Sequence, residues 1–495
     1  MTTTTHTVEP AHLGQLIGGE ERAATQTIEV RNPGRLGELV GTVADGDVAD
    51  VEAAVAAADA AAPGWAATSP QERVAIFERI ADAIEAQIDT LAPLVARENG
   101  SPVATLIAEF QGSLGAFRGL GPLLEEKLAP AEFPSGPNGE IVRVQRKPYG
   151  VIAGIVPWNA PIALTVNKIV PAIAAGNTVV LKPSPLAPLG VTSICRIAAE
   201  LLPPGVLNVV NGGGEVGAAL IGHPRIRKIS FTGGGPTARH IMRQAADSLT
   251  GVHFELGGND PAIVLDDADL ATTADRIVES AYRRAGQVCF AVKRVYVPRD
   301  KAAELSRLMV ERVDAITVGH PLDERATMGP VNNSAQFAHV SDLRDRTIAQ
   351  GRDVRVLGSA SDLTTWDDGH YLLPMLVLDA EHGDDIVREE QFGPILPIIA
   401  YDSVADAIEM ANDTDFGLCS SVWSRSIDRA LDVANQIEAG VTMINSHLFS
   451  AVGSQQIPFG GWKQSGIGWE RSPYGIDEYL QFHSIDVHTF PEDPA

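Results

Sequence analysis

The sequence predicts an α/β protein built around parallel β-sheets. Between residues 151 and 265, short apolar segments suited to strands alternate with helical segments, and a second α/β cycle occupies roughly residues 270–440. Such alternation favours βαβ units, whose sheets bind nucleotides beyond the carboxyl ends of the strands. The length of 495 residues exceeds a typical domain of about 100–200 residues. We therefore expect two or three domains.

A helical scaffold comes before the first strands. Asp47 or Asp50 opens an alanine-rich helix that is expected to end near Pro63. A second helix begins with Ser69 as N-cap, Pro70 at the first helical position and Glu72 completing a capping box. Its apolar residues recur three or four apart and mark one buried face: Val74, Phe77, Ile80, Ala81, Ile84, Ile88 and Leu91. Gly100 stops it.

The strands and helices of the two cycles follow from apolar runs bounded by turn residues. The predicted strands of the first cycle are residues 151–156, 178–181, 206–210, 228–232, 252–256 and 262–265, with helices at 188–202 and 217–221. The second cycle has a helix at 270–284, a strand at 294–297 and a helix at 300–315. A segment rich in proline and glycine, residues 129–139, interrupts the first region before residues 141–145.

Composition excludes several classes of function. The net charge of −25 argues against binding to a phosphate backbone, which requires clusters of lysine and arginine. No run of about 18 apolar residues is uninterrupted, which argues against a membrane span. The first residues lack the charged and apolar regions of a signal peptide. We expect a cytoplasmic protein with residues 2–12 frayed.

The three cysteines differ in their surroundings. Their odd number and wide spacing match neither a disulfide framework nor a zinc-ligand pattern, so no metal site is expected. Cys195 lies in an apolar helical run and Cys419 in an apolar strand, which is usual for small core residues. Cys289 has polar, glycine-adjacent surroundings with Arg283 and Arg284 nearby. A lone cysteine is more often structural, so its role depends on partners elsewhere in the chain.

Three separate motifs supply those partners. They are Gly286-Gln287-Val288-Cys289, Glu255-Leu256-Gly257-Gly258-Asn259 and Pro157-Trp158-Asn159. Cys289, Glu255 and Asn159 offer the nucleophile, base and oxyanion donor of carbonyl chemistry. With these motifs in order between Ile28 and Ser484, the sequence resembles the aldehyde dehydrogenase superfamily.

The resemblance implies a mechanism and a subtype. An aldehyde would form a thiohemiacetal with Cys289, lose hydride to NAD(P)+, and leave a thioester that is hydrolysed by water activated by Glu255. Asn159 and the backbone N–H of Cys289 would hold the oxyanion. Relatives that transfer the acyl group to coenzyme A generally lack this glutamate. The product is therefore expected to be a carboxylic acid.

A glycine turn suggests where the coenzyme binds. Gly233-Gly234-Gly235-Pro236 follows a predicted strand and opens a helix whose N-terminus can face a phosphate, although three glycines alone more often mark a tight turn. The resemblance implies these coenzyme contacts: Val156, Pro157, Trp158, Lys182, Ser184, Pro185, Gly212, Gly217, Phe231, Thr232, Gly233, Gly234, Leu256, Gly257, Glu390 and Phe392. Two positions depart from the family pattern. Ala238 replaces a glycine and would add a methyl group near the pyrophosphate, and Pro185 replaces a glutamate common in NAD-preferring members. We favour NAD and leave NADP open.

The substrate pocket is the least defined part of the site. We expect it to draw on Ala160, Val288, Phe290, His447 and Phe459, together with the loop of residues 445–457. Loop histidines such as His447 are more often simply exposed. The sequence shows no cluster of basic residues that would indicate a phosphorylated or dicarboxylate substrate. An aliphatic or aromatic aldehyde is the expected substrate.

The resemblance also implies a domain organisation. Residues 1–128 and 147–257 form a Rossmann-like coenzyme domain, residues 258–457 an α/β catalytic domain, and residues 129–146 and 479–495 a small β extension used in forming a homo-oligomer, a dimer or tetramer. Residues 458–478 return to the active-site wall. Two alternatives remain open. One is a cysteine hydrolase without redox chemistry, which would lack a readable Cys–His pair, and the other is a non-catalytic binding protein.

Overall fold

An eight-stranded sheet carries the first α/β cycle. The computed structural model describes residues 9–134, 140–450 and 453–488. From one edge to the other, the strands are Gly466–Ile467, Gly251–Glu255, Ile226–Thr232, Val151–Ile155, Thr178–Lys182, Leu207–Val209, Gln15–Ile17 and Glu20–Arg22. The five strands from Gly251–Glu255 to Leu207–Val209 run parallel. Antiparallel strands flank this parallel block on both sides.

The strand order reverses at Val151–Ile155. From there the chain builds Thr178–Lys182 and Leu207–Val209 on one side, and later Ile226–Thr232 and Gly251–Glu255 on the other. At such a reversal a crevice opens outside the carboxyl ends of the strands, where ligands of open α/β sheets bind. All predicted strand bounds agree with the structure within two residues.

Helices pack against this sheet and against one another. They are Val48–Ala67, Pro70–Glu85, Ile88–Asn99, Val103–Arg118, Gly121–Leu128, Pro161–Ala174, Leu189–Ala199, Gly214–Ile221 and Gly235–Ser248. The predicted capping box is confirmed, because the backbone N–H of Glu72 donates to the Ser69 hydroxyl and the backbone N–H of Ser69 donates to the Glu72 carboxylate. Gly100, with φ 91°, ends the third helix in the left-handed conformation that glycine favours.

Two helix predictions are wrong. The first helix does not stop near Pro63 but continues to Ala67, because Trp65 is buried and its indole N–H donates to the Ile173 carbonyl at 2.8 Å. Tertiary packing there outweighs the backbone hydrogen bond that proline removes. The apolar face predicted as one helix belongs to two, which end at Glu85 and begin again at Ile88.

A seven-stranded sheet carries the second cycle. Its order is Val354–Val356, Met375–Ala380, Ile395–Tyr401, Val292–Pro298, Asp260–Val264, Cys419–Trp423 and Val441–Ile444. Its helices are Leu270–Tyr282, Arg299–Asp314, Ser334–Ala349, Asp385–Arg388, Val404–Asn412 and Ile427–Ala434, with 3₁₀ turns at Arg283–Gly286 and Trp366–Asp368. The chain passes from the first sheet to this one between Glu255 and Asp260. The domain bounds themselves stay a prediction.

A third sheet joins distant parts of the chain. Leu480–Val487, Ile141–Pro148 and Ala131–Pro134 form it, all antiparallel. Phe133 and Phe482 are exposed on it. The smaller elements are a sheet of Ala11–Leu13, Arg35–Ala44 and Thr27–Asn32, the pairs Thr317–Val318 with Ser359–Ala360 and Phe416–Gly417 with Trp462–Lys463, and the helices Gly453–Gln456 and Ser472–Asp477.

Parts of three predicted segments lie outside the described residues. They are residues 2–8 of the expected frayed terminus, residues 135–139 and 489–495 of the oligomerisation segment, and residues 451–452 of the substrate loop. The expectation of fraying is wrong for residues 11 and 12, which lie in the strand Ala11–Leu13 and pair with Arg35–Ala44. Within the described ranges, no helix combines the length and apolar character that crossing a bilayer requires.

Candidate active site

The residues predicted to bind the coenzyme follow the carboxyl ends of adjacent parallel strands in the eight-stranded sheet. Across the parallel block they are Leu256 and Gly257, Phe231 to Gly234, Val156 to Trp158, Lys182 to Pro185, and Gly212. Gly217 lies in the helix that follows the last of these strands. The structure therefore brings them together at the crevice where the strand order reverses, and their individual roles remain predictions.

Polar groups in this crevice remain available to hydrogen-bond a ligand. The buried Thr232 hydroxyl has no partner among the described residues. The Lys182 ammonium donates to the Pro183 carbonyl at 2.9 Å, and burial lowers its pKa to about 8, against the opposing effect of Asp45. A Cβ added to Gly234 would meet nothing closer than Pro236 at 3.8 Å. The open donors and the bare backbone fit a dinucleotide.

A segment from the second sheet reaches the same crevice. One carboxylate oxygen of Glu390 accepts from the backbone N–H of Gly258 at 3.0 Å. Gly257 lies close beside it, since an added Cβ would lie 2.2 Å from Glu390 Oε2 and the carboxylate would have to shift. The Phe392 ring meets the Trp158 ring edge-on, with 5.7 Å between centroids. Burial raises the pKa of Glu390, while Lys293 acts in the opposite direction.

A left-handed turn presents the thiol. Arg284, Ala285 and Gly286 have φ of 54°, 55° and 73° at the end of the helix Leu270–Tyr282. Gly286 cannot be replaced without movement, because its added Cβ would lie 2.2 Å from the Gly393 carbonyl oxygen. Three successive residues with positive φ reverse the chain sharply, so that Cys289 precedes the strand Val292–Pro298.

Lys293 holds the backbone on which the thiol sits. Its ammonium donates to the carbonyl of Val288 at 3.0 Å and to that of Cys289 at 2.5 Å. Burial raises the pKa of the Cys289 thiol to about 12, and the positive charge of Lys293 partly offsets this. The resting thiol is therefore protonated near neutral pH. It must lose its proton as it attacks a carbonyl carbon.

Asn159 links the two sheets beside the thiol. It follows the strand Val151–Ile155 and is buried, and its side-chain amide donates to the Gln287 carbonyl at 2.9 Å. Because an amide nitrogen carries two hydrogens, the second one remains for an oxyanion. Asn159 and Cys289 both line one cavity.

Glu255 is a buried carboxyl without a hydrogen-bond partner among the described residues. Its pKa is raised well above the usual value, first by burial and then by the negative charge of Glu470. Glu470 itself is paired with Lys168, at 2.8 Å, and this pair keeps the pKa of Glu470 low although burial acts in the opposite direction. A carboxyl with a raised pKa is a stronger base once ionised.

The cavity beside Cys289 has a volume of about 790 Å³. Four of the predicted pocket residues line it: Ala160, Val288, Phe290 and Phe459. The prediction for His447 is wrong. Its ring is fully buried away from the cavity and bonds the Ser421 hydroxyl at 2.8 Å, and Asp260 lies 3.7 Å from its other nitrogen.

Two further expectations need correction. The Ala238 methyl group is buried in the core cluster that includes Ile241 and Ala245, so it faces the helix–sheet interface. The sequence also suggested no basic cluster around the substrate, but the fold brings three arginines to the cavity wall: Arg283, Arg284 and Arg471. Arg283 and Arg284 are neighbours in sequence, but Arg471 comes from a distant segment, so sequence spacing could not show that the three meet.

Four charged residues at the site were not predicted. Lys168, Lys293, Glu470 and Arg471 are named above, and none was assigned a role from sequence. Lys168 is the one charged residue of the helix Pro161–Ala174, and Lys293 lies in a fully buried strand. A charge inside an apolar segment is expensive to bury unless it is paired. A lysine inside an apolar segment was therefore the sequence feature that could have indicated a buried, paired charge at these two positions.

Comparisons with known proteins agree with this geometry. The sequence model of the Aldehyde dehydrogenase family matches residues 20–485. A betaine aldehyde dehydrogenase from Cereibacter sphaeroides is 36% identical over 479 residues, covering 96% of each chain. Two crystal structures align with TM-scores of 0.92 and 32% identity. One is betaine aldehyde dehydrogenase from Staphylococcus aureus in complex with NAD+, with 97% of this chain and 95% of that chain covered. The other is an NADP-dependent enzyme from E. coli, with 97% and 98% covered.

Proposed function

Because the chain belongs to the aldehyde dehydrogenase family, it oxidises an aldehyde to a carboxylic acid with NAD(P)+, and we propose that Cys289, Asn159 and Glu255 carry out the chemistry. One observation supports this assignment above the others. The partly exposed thiol of Cys289 and the side-chain amide of Asn159, which has one N–H free, line the same cavity. The carboxyl of Glu255 is buried without a hydrogen-bond partner among the described residues, and burial of the thiol and the negative charge of this carboxyl both raise the pKa of the thiol.

In the first half of the reaction, Cys289 attacks the aldehyde carbon. Its proton passes to Glu255 through water. Because the pKa of Glu255 is raised, it lies closer to the pKa of the Cys289 thiol, which makes this proton transfer easier. The carbonyl oxygen gains negative charge as the C–S bond forms. The second N–H of Asn159 and the backbone N–H of Cys289 stabilise that charge, and losing one such donor typically costs about 10²–10³ in rate.

The second half breaks the C–S bond. Bound NAD(P)+ supplies the hydride acceptor. Loss of hydride from the thiohemiacetal carbon leaves a thioester on Cys289, and Glu255, after releasing its proton to solvent, deprotonates the water that attacks it. Hydrolysis yields the carboxylic acid and restores the thiol. Burial of Glu255 beside Glu470 favours this base role.

Chain residues at the crevice would hold the coenzyme in a defined orientation. Lys182 would donate to the adenosine ribose, and Gly233 and Gly234 would let the pyrophosphate approach the helix Gly235–Ser248. Glu390 would bind the other ribose, with Phe392 beside the ring. We favour NAD over NADP because no arginine stands beside Lys182 in the Lys182–Pro185 segment as a partner for a 2′-phosphate.

Assembly and location complete the proposal. We propose a homo-oligomer formed through the sheet of Leu480–Val487, Ile141–Pro148 and Ala131–Pro134, whose aromatic side chains Phe133 and Phe482 are 54% and 72% exposed. We also propose a cytoplasmic location, in keeping with three cysteines that are all unpaired.

Absorbance at 340 nm with a panel of aldehydes and either coenzyme tests the function. We expect reduced coenzyme and acid to form together, no turnover in Cys289→Ala, and normal turnover in the control Cys195→Ala, whose thiol is buried in a helix. Ester hydrolysis that needs no coenzyme, without aldehyde oxidation, would instead support the cysteine hydrolase. Full activity in Cys289→Ala would contradict the assigned nucleophile.

A further inference from the structure

Arg471 occupies an unusual position in the wall of the substrate cavity. On the proposed function of this cavity, we infer that Arg471 determines specificity by binding an acidic group on the tail of the aldehyde. The substrate class is thus aldehydes that carry a terminal carboxylate or phosphate. Three features of the structure support this: the surroundings of the guanidinium, its lack of an acceptor, and the backbone conformation that holds it.

Three aromatic rings surround the guanidinium. Its central carbon lies 4.6 Å from the ring centroid of Phe459, 5.0 Å from that of Phe449 and 6.0 Å from that of Phe290. The three rings also contact one another edge-on, at 5.5–5.8 Å. Cation–π contacts hold a guanidinium in place without using its N–H groups. The donors of Arg471 therefore stay available in a fixed position.

No acceptor uses those donors among the residues that the structure describes. The guanidinium of Arg471 forms no hydrogen bond or ion pair there, in contrast to that of Arg284, which donates to Glu109 at 2.6 Å and to the Ser101 hydroxyl at 3.1 Å. Of the carboxyls whose charge Arg471 influences, Glu470 is paired with Lys168, and Glu255 forms no hydrogen bond to the guanidinium. A guanidinium whose N–H groups lack acceptors is ready to bind an anion bidentately.

The whole cavity favours negative charge although the chain is acidic. Its wall contains three arginines against two glutamates, Glu109 and Glu126, and Glu109 is already bonded to Arg284. The chain as a whole has a net charge of −25. A local excess of positive charge in such a chain steers an anionic ligand to this one cleft.

The backbone of Arg471 indicates that this side chain is needed there. Its φ of 59° and ψ of 176° lie in a region that is populated almost only by glycine. It precedes the short helix Ser472–Asp477. A glycine would adopt this conformation without strain, whereas an arginine adopts it at a conformational cost. Strain of this kind is typical of residues that position a ligand.

The same arrangement disfavours a cationic substrate. A group of aromatic rings is what binds a quaternary ammonium ion, but here the protein's own guanidinium fills the space between the rings. An aldehyde that carries a trimethylammonium group would meet like charge at the position where an anionic tail would find hydrogen-bond donors.

Matched aldehydes test the inference in the intact protein. The probes are hexanal, 6-oxohexanoate, a phosphate monoester of a hydroxyaldehyde of similar length, and betaine aldehyde, each with saturating coenzyme. We expect Arg471→Met to lower the ratio of kcat/KM for 6-oxohexanoate to that for hexanal by roughly 10–100-fold, mostly through KM, because one charge-assisted contact to the tail is lost. Arg471→Lys keeps the charge and should retain part of the ratio. Arg299→Met, which removes a surface arginine paired with Asp402, should leave the ratio unchanged.

The outcomes separate this inference from the proposed function. No reduced coenzyme with any aldehyde would contradict the function. Oxidation of hexanal with an unchanged ratio in Arg471→Met, or a preference of the parent protein for betaine aldehyde, would overturn the inference alone. A stronger preference for the phosphate than for the carboxylate would assign phosphate as the tail. Inhibition of the parent protein by adipate but not by hexanoate supports the inference without any variant, and equal inhibition contradicts it.

Discussion

Replacing Lys293 with methionine distinguishes the effect of Lys293 on the reactivity of the Cys289 thiol from its effect on the stability of the fold. The ammonium donates to the carbonyls of Val288 and Cys289 at 3.0 and 2.5 Å and lies 3.6 Å from Glu390 Oε1. A hydrogen bond from a charged donor stabilises a protein by about 1.5–3 kcal/mol. Two such bonds suggest a loss of about 3–6 kcal/mol in the free energy of unfolding, and breaking a buried ion pair typically costs about 3–5 kcal/mol. Glu390 limits the loss by binding a proton, since burial already raises its pKa.

The same substitution changes the reactivity of the thiol. Because the charge of Lys293 lowers the pKa of Cys289, its removal should raise that pKa. The rate of alkylation by iodoacetamide at a given pH should fall about tenfold for each unit of increase, since only the thiolate reacts. Mass spectrometry of the modified peptide distinguishes Cys289 from the two buried cysteines, and urea unfolding measures stability.

Lys228→Met is the matched control. Lys228 is another buried lysine, 2.7 Å from Glu478 and 8% exposed, and its charge is not among the main influences on Cys289. We expect a comparable loss of stability with unchanged alkylation. If Lys293→Met alkylates at the parent rate at every pH, Lys293 supports only the fold, and the reasoning about the thiol is refuted.

Other substitutions test the base and the strained backbone. Glu255→Gln should release one equivalent of reduced coenzyme and then stall. In the parent protein, deacylation should accelerate with rising pH, because burial raises the pKa of Glu255 and so shifts the formation of its carboxylate to higher pH than for an ordinary glutamate; steady acid production by the variant would contradict its role. Gly286→Ala should destabilise the protein by more than about 1 kcal/mol, since φ is 73° and the added Cβ would lie 2.2 Å from the Gly393 carbonyl. Gly64→Ala, at an open helical position, should instead stabilise it by about 0.5–1 kcal/mol, as urea midpoints will show. Arg471→Gly relieves about 1–3 kcal/mol of strain and loses about 0.5–2 kcal/mol of cation–π energy, so we expect little change in stability but a lost preference for anionic aldehydes; a large loss of stability would mean that Arg471 mainly supports the fold.

Local chemistry made much of the fold predictable. Apolar runs between turn residues located the parallel strands, and Ser69 with Glu72 located a helix start from four residues of sequence. Pro63 misled for a physical reason. The proline rule describes a helix in isolation, whereas the buried Trp65 anchors the last turn to Ile173 across the core.

The charges of the site could not be predicted in the same way. Lys168 and Glu470 are 302 residues apart, and no local pattern indicates which distant carboxylate will meet a buried lysine. The prediction for His447 failed for the same reason, because Ser421, which bonds its buried ring, comes from the strand Cys419–Trp423 and not from the His447 loop. The three-ring environment of Arg471 combines residues from three separate segments. Sequence motifs identified the reacting groups, and the fold supplied their surroundings.

The proposed nucleophile and the two residues proposed to assist it belong to different sheets. Glu255 ends one strand of the eight-stranded sheet and Asn159 follows another, whereas Cys289 leads into the seven-stranded sheet. The hydrogen bond from Asn159 to the Gln287 carbonyl spans the seam between the two sheets. Alignment for attack therefore depends on how the two halves of the molecule sit against each other. A substitution at that seam, remote from any reacting atom, would slow turnover by shifting one sheet relative to the other by a fraction of an ångström. Each sheet would keep its own fold.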